Sequence, residues 1–431
     1  MPDVPFGFAL PGGIPDPNDP QQLAKFIAQL QQMFSSPESG PVNWGLARQI
    51  AEHQLTDNDP ILGDGHRKAV SEALLLADHW LDPGTELPSG VHTAATWTRR
   101  EWITHTLDVW RKLCDPVAGQ MVHAMGDLLP EQIRDQMGPM AAMVQSLGGT
   151  MFGGQLGQAL ASLAQEVLAA SDIGLPLAPA GTAALLPTNI REYGKGLELP
   201  ADEVRLYVAL REAAHQRLFS HVSWLRSHVL SAVETYAKGI TVDREAVEEA
   251  MSRIDPENPE TFQAISIEGV FTAEDTPQQA AALSRLETAL ALIEGWVTHV
   301  VTKAAADRLP HLANLSEAFR RRRAAGGPAE QTFATLVGLE LRPRRLREAA
   351  ALWAAVEKQR GIDGRDAVWD HPDLLPTAED FSDPEAFAAS SLDLSALDFG
   401  DSEAPPEPGT DHDSDDKGPD DKGPADKGPS A

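Results

Sequence analysis

Arg211-Glu212-Ala213-Ala214-His215 is the segment of this chain whose residue types and spacing could do chemistry. On a helix, positions four apart lie one turn apart on one face, so a His at each can share one Zn²⁺. A Glu placed directly after the first His sits beside the metal-bound water and takes its proton, which is the chemistry of zinc-assisted hydrolysis. Here Glu212 stands in the place of the general base and His215 in the place of the second zinc ligand. Arg211 stands where the first His belongs. A guanidinium stays protonated at any physiological pH and offers donors only, so it cannot ligate a cation. One turn from His215 it would repel zinc, or take over the metal's electrostatic role by pairing with a carboxylate. Residue chemistry alone favours a plainer account, in which the three form a polar strip on an ordinary helix with i, i+3 and i, i+4 contacts.

The element that must carry them spans Ala201 to Ala232 and reads as one long helix, with Leu206, Leu210, Ala214 and Leu218 at i, i+4 spacing. A second strong helix starts at Thr276, an N-cap with Pro277 at the first position, and runs to about Arg308. Its buried face is Leu283, Leu286, Leu290, Ile293, Val297 and Val300. Helices over 311–325 and 329–358 follow. Earlier in the chain, helices are predicted from Asp19-Pro20 to Phe34, from the N-cap Asn43, over Asp64–Trp80 and over Thr98–Leu113. Trp97, Trp102, Ile103, Leu107 and Trp110 fall near one stripe, which reads as core. Pro176, Pro179, Pro187 and Pro200 mark 171–200 as a connection between a helical region, 19–170, and a later helical domain, 201–387. Residues 1–18 and the tail 388–431 are expected to be disordered. The only strand signal is weak, near Leu336-Val337.

Abundant Ala and Leu and few β-branched runs make the expected fold class predominantly α. The 431 residues carry a net charge of −29, and the tail from Asp401, with ten acids and three Lys, accounts for −7 of it. So acidic a body excludes nonspecific binding to nucleic acid or an anionic membrane surface. One cysteine, Cys114, permits no internal disulfide, and the N-terminus lacks a basic region followed by an apolar core; both predict a cytoplasmic protein. Leu147–Ala170 carries Gly149, Gly153 and Gly157 at a spacing used by membrane helices, but Gln155, Gln158, Gln165 and Glu166 would be expensive in lipid, so a close-packed helix is expected there. Asp416-Lys417-Gly418-Pro419 and its two near-repeats forbid a stable helix or strand.

Beyond the motif itself, residues 208–226 (VALREAAHQRLFSHVSWLR), 286–297 (LETALALIEGWV), 326–347 (GGPAEQTFATLVGLELRPRRLR), 366–377 (DAVWDHPDLLPT) and, more loosely, Val42-Asn43-Trp44 resemble bacterial proteins of the zincin-like, zinc-dependent metallopeptidase and hydrolase family. One branch of that family is named for an association with coenzyme F420 biosynthesis. The resemblance covers most of 150–387 as separate blocks in order. It implies a zincin-like helical domain, two His on one helix and a carboxylate ligand from a later one. Carried onto this chain, it makes His215 the second His, Glu212 the catalytic base and Glu294 the third ligand. It is this resemblance that reverses the plainer account of the motif.

The departure at Arg211 leaves alternatives open. In one, the chain is a metallopeptidase-like hydrolase acting on peptide bonds, with Zn²⁺ on His215, Glu294 and an unidentified third group. His221 and His299 are candidate substitutes, though they lie about 120° and 140° off the required faces of ideal helices. In another, Arg211 pairs with Glu294 or Glu212 in a metal-free scaffold that serves as a binding or assembly protein. In the last, the acidic tail is the working part. The basic runs Arg320–Arg323 and Arg342, Arg344, Arg345, Arg347 read mainly as salt-bridged helical surface, or as a dock for an anionic ligand or for the tail. No Cys-x-x-Cys, serine elbow, phosphate loop or dinucleotide fingerprint is present.

Overall fold

Asn43 caps the first helix as its residue type predicts: its side-chain oxygen accepts a hydrogen bond from the Leu46 amide at 3.0 Å. The computed structural model describes residues 40–127, 138–238, 277–324 and 345–390. Its elements are α1 (Trp44–Gln54), α2 (Asp64–Leu81), β1 (Thr93–Thr96), α3 (Arg99–Asp127), α4 (Gly138–Glu166), β2 (Thr182–Leu185), α5 (Pro187–Gly194), α6 (Ala201–His221), α7 (Leu225–Lys238), α8 (Pro277–Ala305), α9 (Leu312–Ala324), α10 (Leu346–Asp366) and α11 (Pro384–Ala389). The fold is predominantly α. Among the described residues the only sheet is β1 with β2, parallel, in a register that sets Thr93 opposite Thr182 and Thr96 opposite Leu185.

The glycine stripe of α4 is a helix contact. A Cβ at Gly153 would come 2.5 Å from the carbonyl oxygen of Asn43, and one at Gly157 would come 2.5 Å from that of Ala47, so α1 and α4 touch backbone to backbone. Small residues permit that approach. Among the described residues no helix is long and apolar enough to cross a membrane. The tryptophans of α3 are core, as expected: Trp102 and Trp110 are fully buried, with ring centroids 6.4 Å apart.

Helix α6 is the pillar of the molecule. It packs against α2, α5, α8 and β2, while α8 also packs against α7 and α10. Gly295 in α8 lies so near α10 that a Cβ there would fall 2.7 Å from the Cβ of Ala349. That close seam fixes the face of α8 on which its neighbour Glu294 sits.

Three expectations change. The helix read over 201–232 is two helices, because Val222 leaves helical geometry after His221 and α7 starts afresh at Leu225. Tertiary contacts drive the break: Trp224 donates its indole N–H to the Trp369 carbonyl at 2.9 Å, and His221 bonds the Ser89 carbonyl at 3.0 Å. The stretch 171–200, read as a connection, holds β2 and α5, and Ser171, Leu175, Leu177, Ala183 and Ala184 are buried in it. Proline signals irregular backbone there, not exposure. Ala388 and Ala389, expected in the tail, belong to α11, with Ala388 buried. The expected helix at 19–34, the N-cap Thr276, the strand at Leu336-Val337, Arg342, Arg344 and the disordered ends at 1–18 and from 391 onward lie outside the described residues.

Candidate functional site

A helix buried on all sides is normally apolar all round. Helix α6 is buried from Tyr207 to Phe219, yet Arg211, Glu212, His215, Gln216 and Arg217 are among those buried residues, each at most 5% exposed. Buried polar groups must find partners, and those of α6 do so on three sides. Arg217 faces α2, where it donates to the Asp78 carboxylate at 2.9 Å, the Asp82 carboxylate at 2.6 Å and the Leu87 carbonyl at 2.9 Å. It clamps α6 to α2 and to the loop before β1. Glu212 faces the turn after α4, accepting the Ser171 amide at 2.9 Å and the Gln216 side-chain amide at 3.1 Å. Arg211 and His215 face α8.

There they meet Glu294, which is fully buried. His215 Nε2 lies 3.1 Å from Glu294 Oε1, and Arg211 Nη2 donates to Oε2. Arg211 also donates to the Thr298 hydroxyl at 3.3 Å and lies over the Phe319 ring, 4.8 Å from its centroid. A third partner comes from α9: Arg323 Nη2 is 2.8 Å from Glu294 Oε1 and also donates to the Asp172 carbonyl. Beside it Arg322 donates to the Asp172 carboxylate at 2.9 Å and to the Glu166 carbonyl at 2.7 Å. Gly174, at φ 79°, closes the remaining side; a Cβ there would come 3.0 Å from Glu294 Oε1. Only a residue without a side chain fits both that backbone and that contact.

The charges follow from this packing. Burial alone would raise the Glu294 carboxyl, but Arg323, Arg211 and His215 outweigh it and hold it well below the usual carboxylate range. Asp172 behaves alike: burial opposes its ionisation, and Arg322 and Arg323 overcome that. Arg211 keeps its charge firmly: burial opposes it most, but Glu294, Tyr207 and Asp172 together outweigh that. For Arg323 burial prevails and its value is lowered. Both His215 nitrogens face acceptor oxygens, Nε2 that of Glu294 and Nδ1 the Arg211 carbonyl at 2.8 Å.

Glu212 is the exception. It has amide donors but no buried cation, so desolvation dominates and its carboxyl rises to about 7. Because the folded value is raised, the folded state holds a proton that the unfolded chain has released. Stability must therefore fall as pH rises from the ordinary carboxylate range towards 7. Glu212→Gln removes the titration. Its stability relative to the parent should match near pH 4 and exceed the parent by on the order of 2 kcal/mol at pH 8, measured as urea midpoints. An unchanged difference across that range would count against the raised value.

Two ligands of one zinc, each about 2.0–2.2 Å from it, lie roughly 3.1–3.5 Å apart at near-tetrahedral angles. The His215–Glu294 pair meets that requirement, but the rest of the site does not. Both Glu294 oxygens are held by guanidinium groups, and among the described residues no three His, Cys, Asp or Glu side chains converge to hold a metal. Neither candidate substitute comes to the centre. His221 is exposed and bonded to Ser89, while His299 is 2.7 Å from Glu357 in a separate cluster with Lys303 and Arg365. As disposed here, these residues do not fit a zinc ion.

The arrangement therefore joins Arg211, His215 and Glu294, and sets Glu212 on an adjacent face towards Ser171. Sequence reasoning missed Arg322, Arg323, Asp172 and Ser171. The run Arg320–Arg323, read as surface, divides: Arg320 and Arg321 pair with Glu317 on the outside, and Arg322 and Arg323 turn inward. A signal was present, since Leu315 and Phe319 set a buried face that continues at three- and four-residue spacing to Arg322 and Arg323.

Comparison with known proteins bears on this geometry. No curated protein matches the chain. A solved structure titled as a "putative hydrolase with a novel fold", from Chloroflexus aurantiacus, aligns over 80% of this chain and 97% of its own, with 22% identity and a TM-score of 0.55, which is a likeness of fold. Neither finding speaks to the branch named for coenzyme F420. Residues 42–388 match the model of a family described as zincin-like metallopeptidase. That span takes in α1 through α10, nearly all of α11 and every residue of the centre just described, so the chain belongs to the zincin-like metallopeptidase family.

Proposed function

We propose that this chain uses a metallopeptidase scaffold for binding or assembly and does not hydrolyse peptides, with Arg211 filling the role that a metal would hold. One observation carries the reading: both oxygens of Glu294, the only carboxylate beside His215 Nε2 among the described residues, are taken by guanidinium groups, Oε2 by Arg211 and Oε1 by Arg323. The two positive charges already on that carboxylate neutralise its attraction for a cation and repel one that approaches. The reading calls for no metal. Mass spectrometric metal analysis of protein purified without chelator should find far less than one zinc per chain. One zinc per chain, removed only by a chelator, would overturn it.

The second reading is a zinc hydrolase acting on peptide bonds, with His215, Glu294 and a third group as ligands and Glu212 as general base. It is favoured by the 3.1 Å separation of His215 Nε2 from Glu294 Oε1 and by the Glu212 carboxyl at about 7, near the value a base needs at neutral pH. The same metal analysis decides between the two. On either reading the acidic charge of −29 supports a partner that is neither nucleic acid nor an anionic membrane. A peptide or protein is the partner class we favour. The single cysteine, Cys114, buried with its thiol pushed up, supports work in the reducing cytoplasm.

A further inference from the structure

Beside the arginine centre lies a cavity of about 220 Å³. Arg211 and Arg323 form its floor, and Arg320 and Arg347 stand at its rim. Glu317 is the one acid in its wall, and Arg320 already pairs with it at 2.5 Å. So basic a cavity in a chain of net charge −29 does not follow from composition. It concentrates positive potential at one concave place, where the surrounding protein focuses the field on a small anion.

The donors have capacity left. Arg211 Nη1 makes a long, 3.3 Å bond to the Thr298 hydroxyl, and the Arg323 Nε–H is buried with no acceptor among the described residues. A buried donor left unpaired in a native fold calls for an explanation, and a bound acceptor supplies one. Arg347 is exposed and pairs with no acid among the described residues. The other walls are carbon: Phe319, Leu346, Ala313 and Ala350. A bare phosphate would leave those walls unfilled, whereas a carboxylate on a small aliphatic body matches both the guanidinium forks and the apolar sides.

The geometry points to this cavity as a carboxylate-binding site, sized for one or two residues of a peptide, in which the ligand shares Arg211 and Arg323 with Glu294. The inference rests on the metal-free reading in one respect, since Arg211 forms the floor because it holds Glu294 in place of a metal. The carboxylate has two sources, the C-terminus of a peptide or an acidic side chain, and the probes separate them.

The test uses the full chain after chelator treatment, so its result stands apart from whether purified protein carries zinc. Calorimetric titration with N-acetyl-alanyl-alanine, its C-terminal amide, N-acetyl-aspartate methylamide and inorganic phosphate should show binding of at least one carboxylate probe. The tighter of the two identifies the source, and the amide should bind at least tenfold more weakly than the free acid. Arg347→Ala, an exposed change that leaves the fold alone, should weaken the carboxylate probe at least tenfold. Glu317→Gln, which removes the competing acid, should strengthen it severalfold, a gain that misfolding cannot produce. Equal binding of acid and amide, phosphate binding with neither carboxylate bound, or indifference to Arg347→Ala would overturn the assignment.

Discussion

Arg211→His combined with Arg323→Met should turn a protein without stoichiometric zinc into one that binds it with micromolar affinity or better. The expectation follows from distances already in place. His215 Nε2 and Glu294 Oε1 are 3.1 Å apart, a separation two zinc ligands can hold. A histidine at 211 adds a third ligand one turn from His215 on the same face of α6. The second change is needed because Arg323 Nη2 would otherwise stay 2.8 Å from the same oxygen. Three ligands around a released carboxylate should give a Kd near 1 μM, roughly −8 kcal/mol, against no measurable binding in the parent. Arg211→His alone should bind more weakly than the pair. Before metal is added, the double variant leaves the buried Glu294 carboxylate with His215 alone, and stranding buried charge costs about 3–5 kcal/mol, so circular dichroism must first establish that the variant is folded. A folded double variant that takes no zinc in competition with a chromogenic chelator would mean that α6 and α8 do not present a metal-site geometry.

Glu294→Gln should be the most damaging conservative change in the molecule. The amide has nearly the shape of the carboxylate, so the loss is one of charge. Arg211 and Arg323 would remain buried facing a neutral group, and stranding buried charge costs about 3–5 kcal/mol. The linkage gives the effect a pH signature. The folded-state value of Glu294 is depressed, so its contribution is complete above the unfolded carboxylate value of about 4.3 and is lost as pH falls towards the folded one. Parent and variant should differ most at pH 7 and converge as pH drops below about 4. Asp172, also depressed, is common to both and cancels. Urea midpoints at pH 7 and pH 3.5 check the prediction, and equal midpoints at pH 7 would show that the cluster contributes nothing to stability.

What the sequence made legible was local. Asn43 announced a cap, the three glycines of α4 a close helix contact, and the Leu–Ile–Val spacing of 283–300 the buried face of α8. The meeting of His215 with Glu294 came from the family resemblance, because helical spacing orients a side chain on its own helix and cannot choose its partner helix. The illegible parts are those that tertiary structure decides. Nothing in Ser220–Trp224 marks a helix end, since no Gly or Pro is there; the break exists because Trp224 reaches Trp369. Arg322 and Arg323 read as surface because four successive arginines suggest solvent, and only a buried Asp172 and Glu294 opposite them reverse that expectation.

The two guanidinium groups gathered on Glu294 also bear on how this chain can change over time. Arg211 and Arg323 share one carboxylate, so replacing either alters what the other experiences, and their effects will not add. A lineage that gained histidine at 211 alone would still find the Glu294 carboxylate occupied by Arg323. If the chain works without metal as proposed, the arrangement would act as a ratchet, since one substitution alone leaves the other guanidinium on the carboxylate.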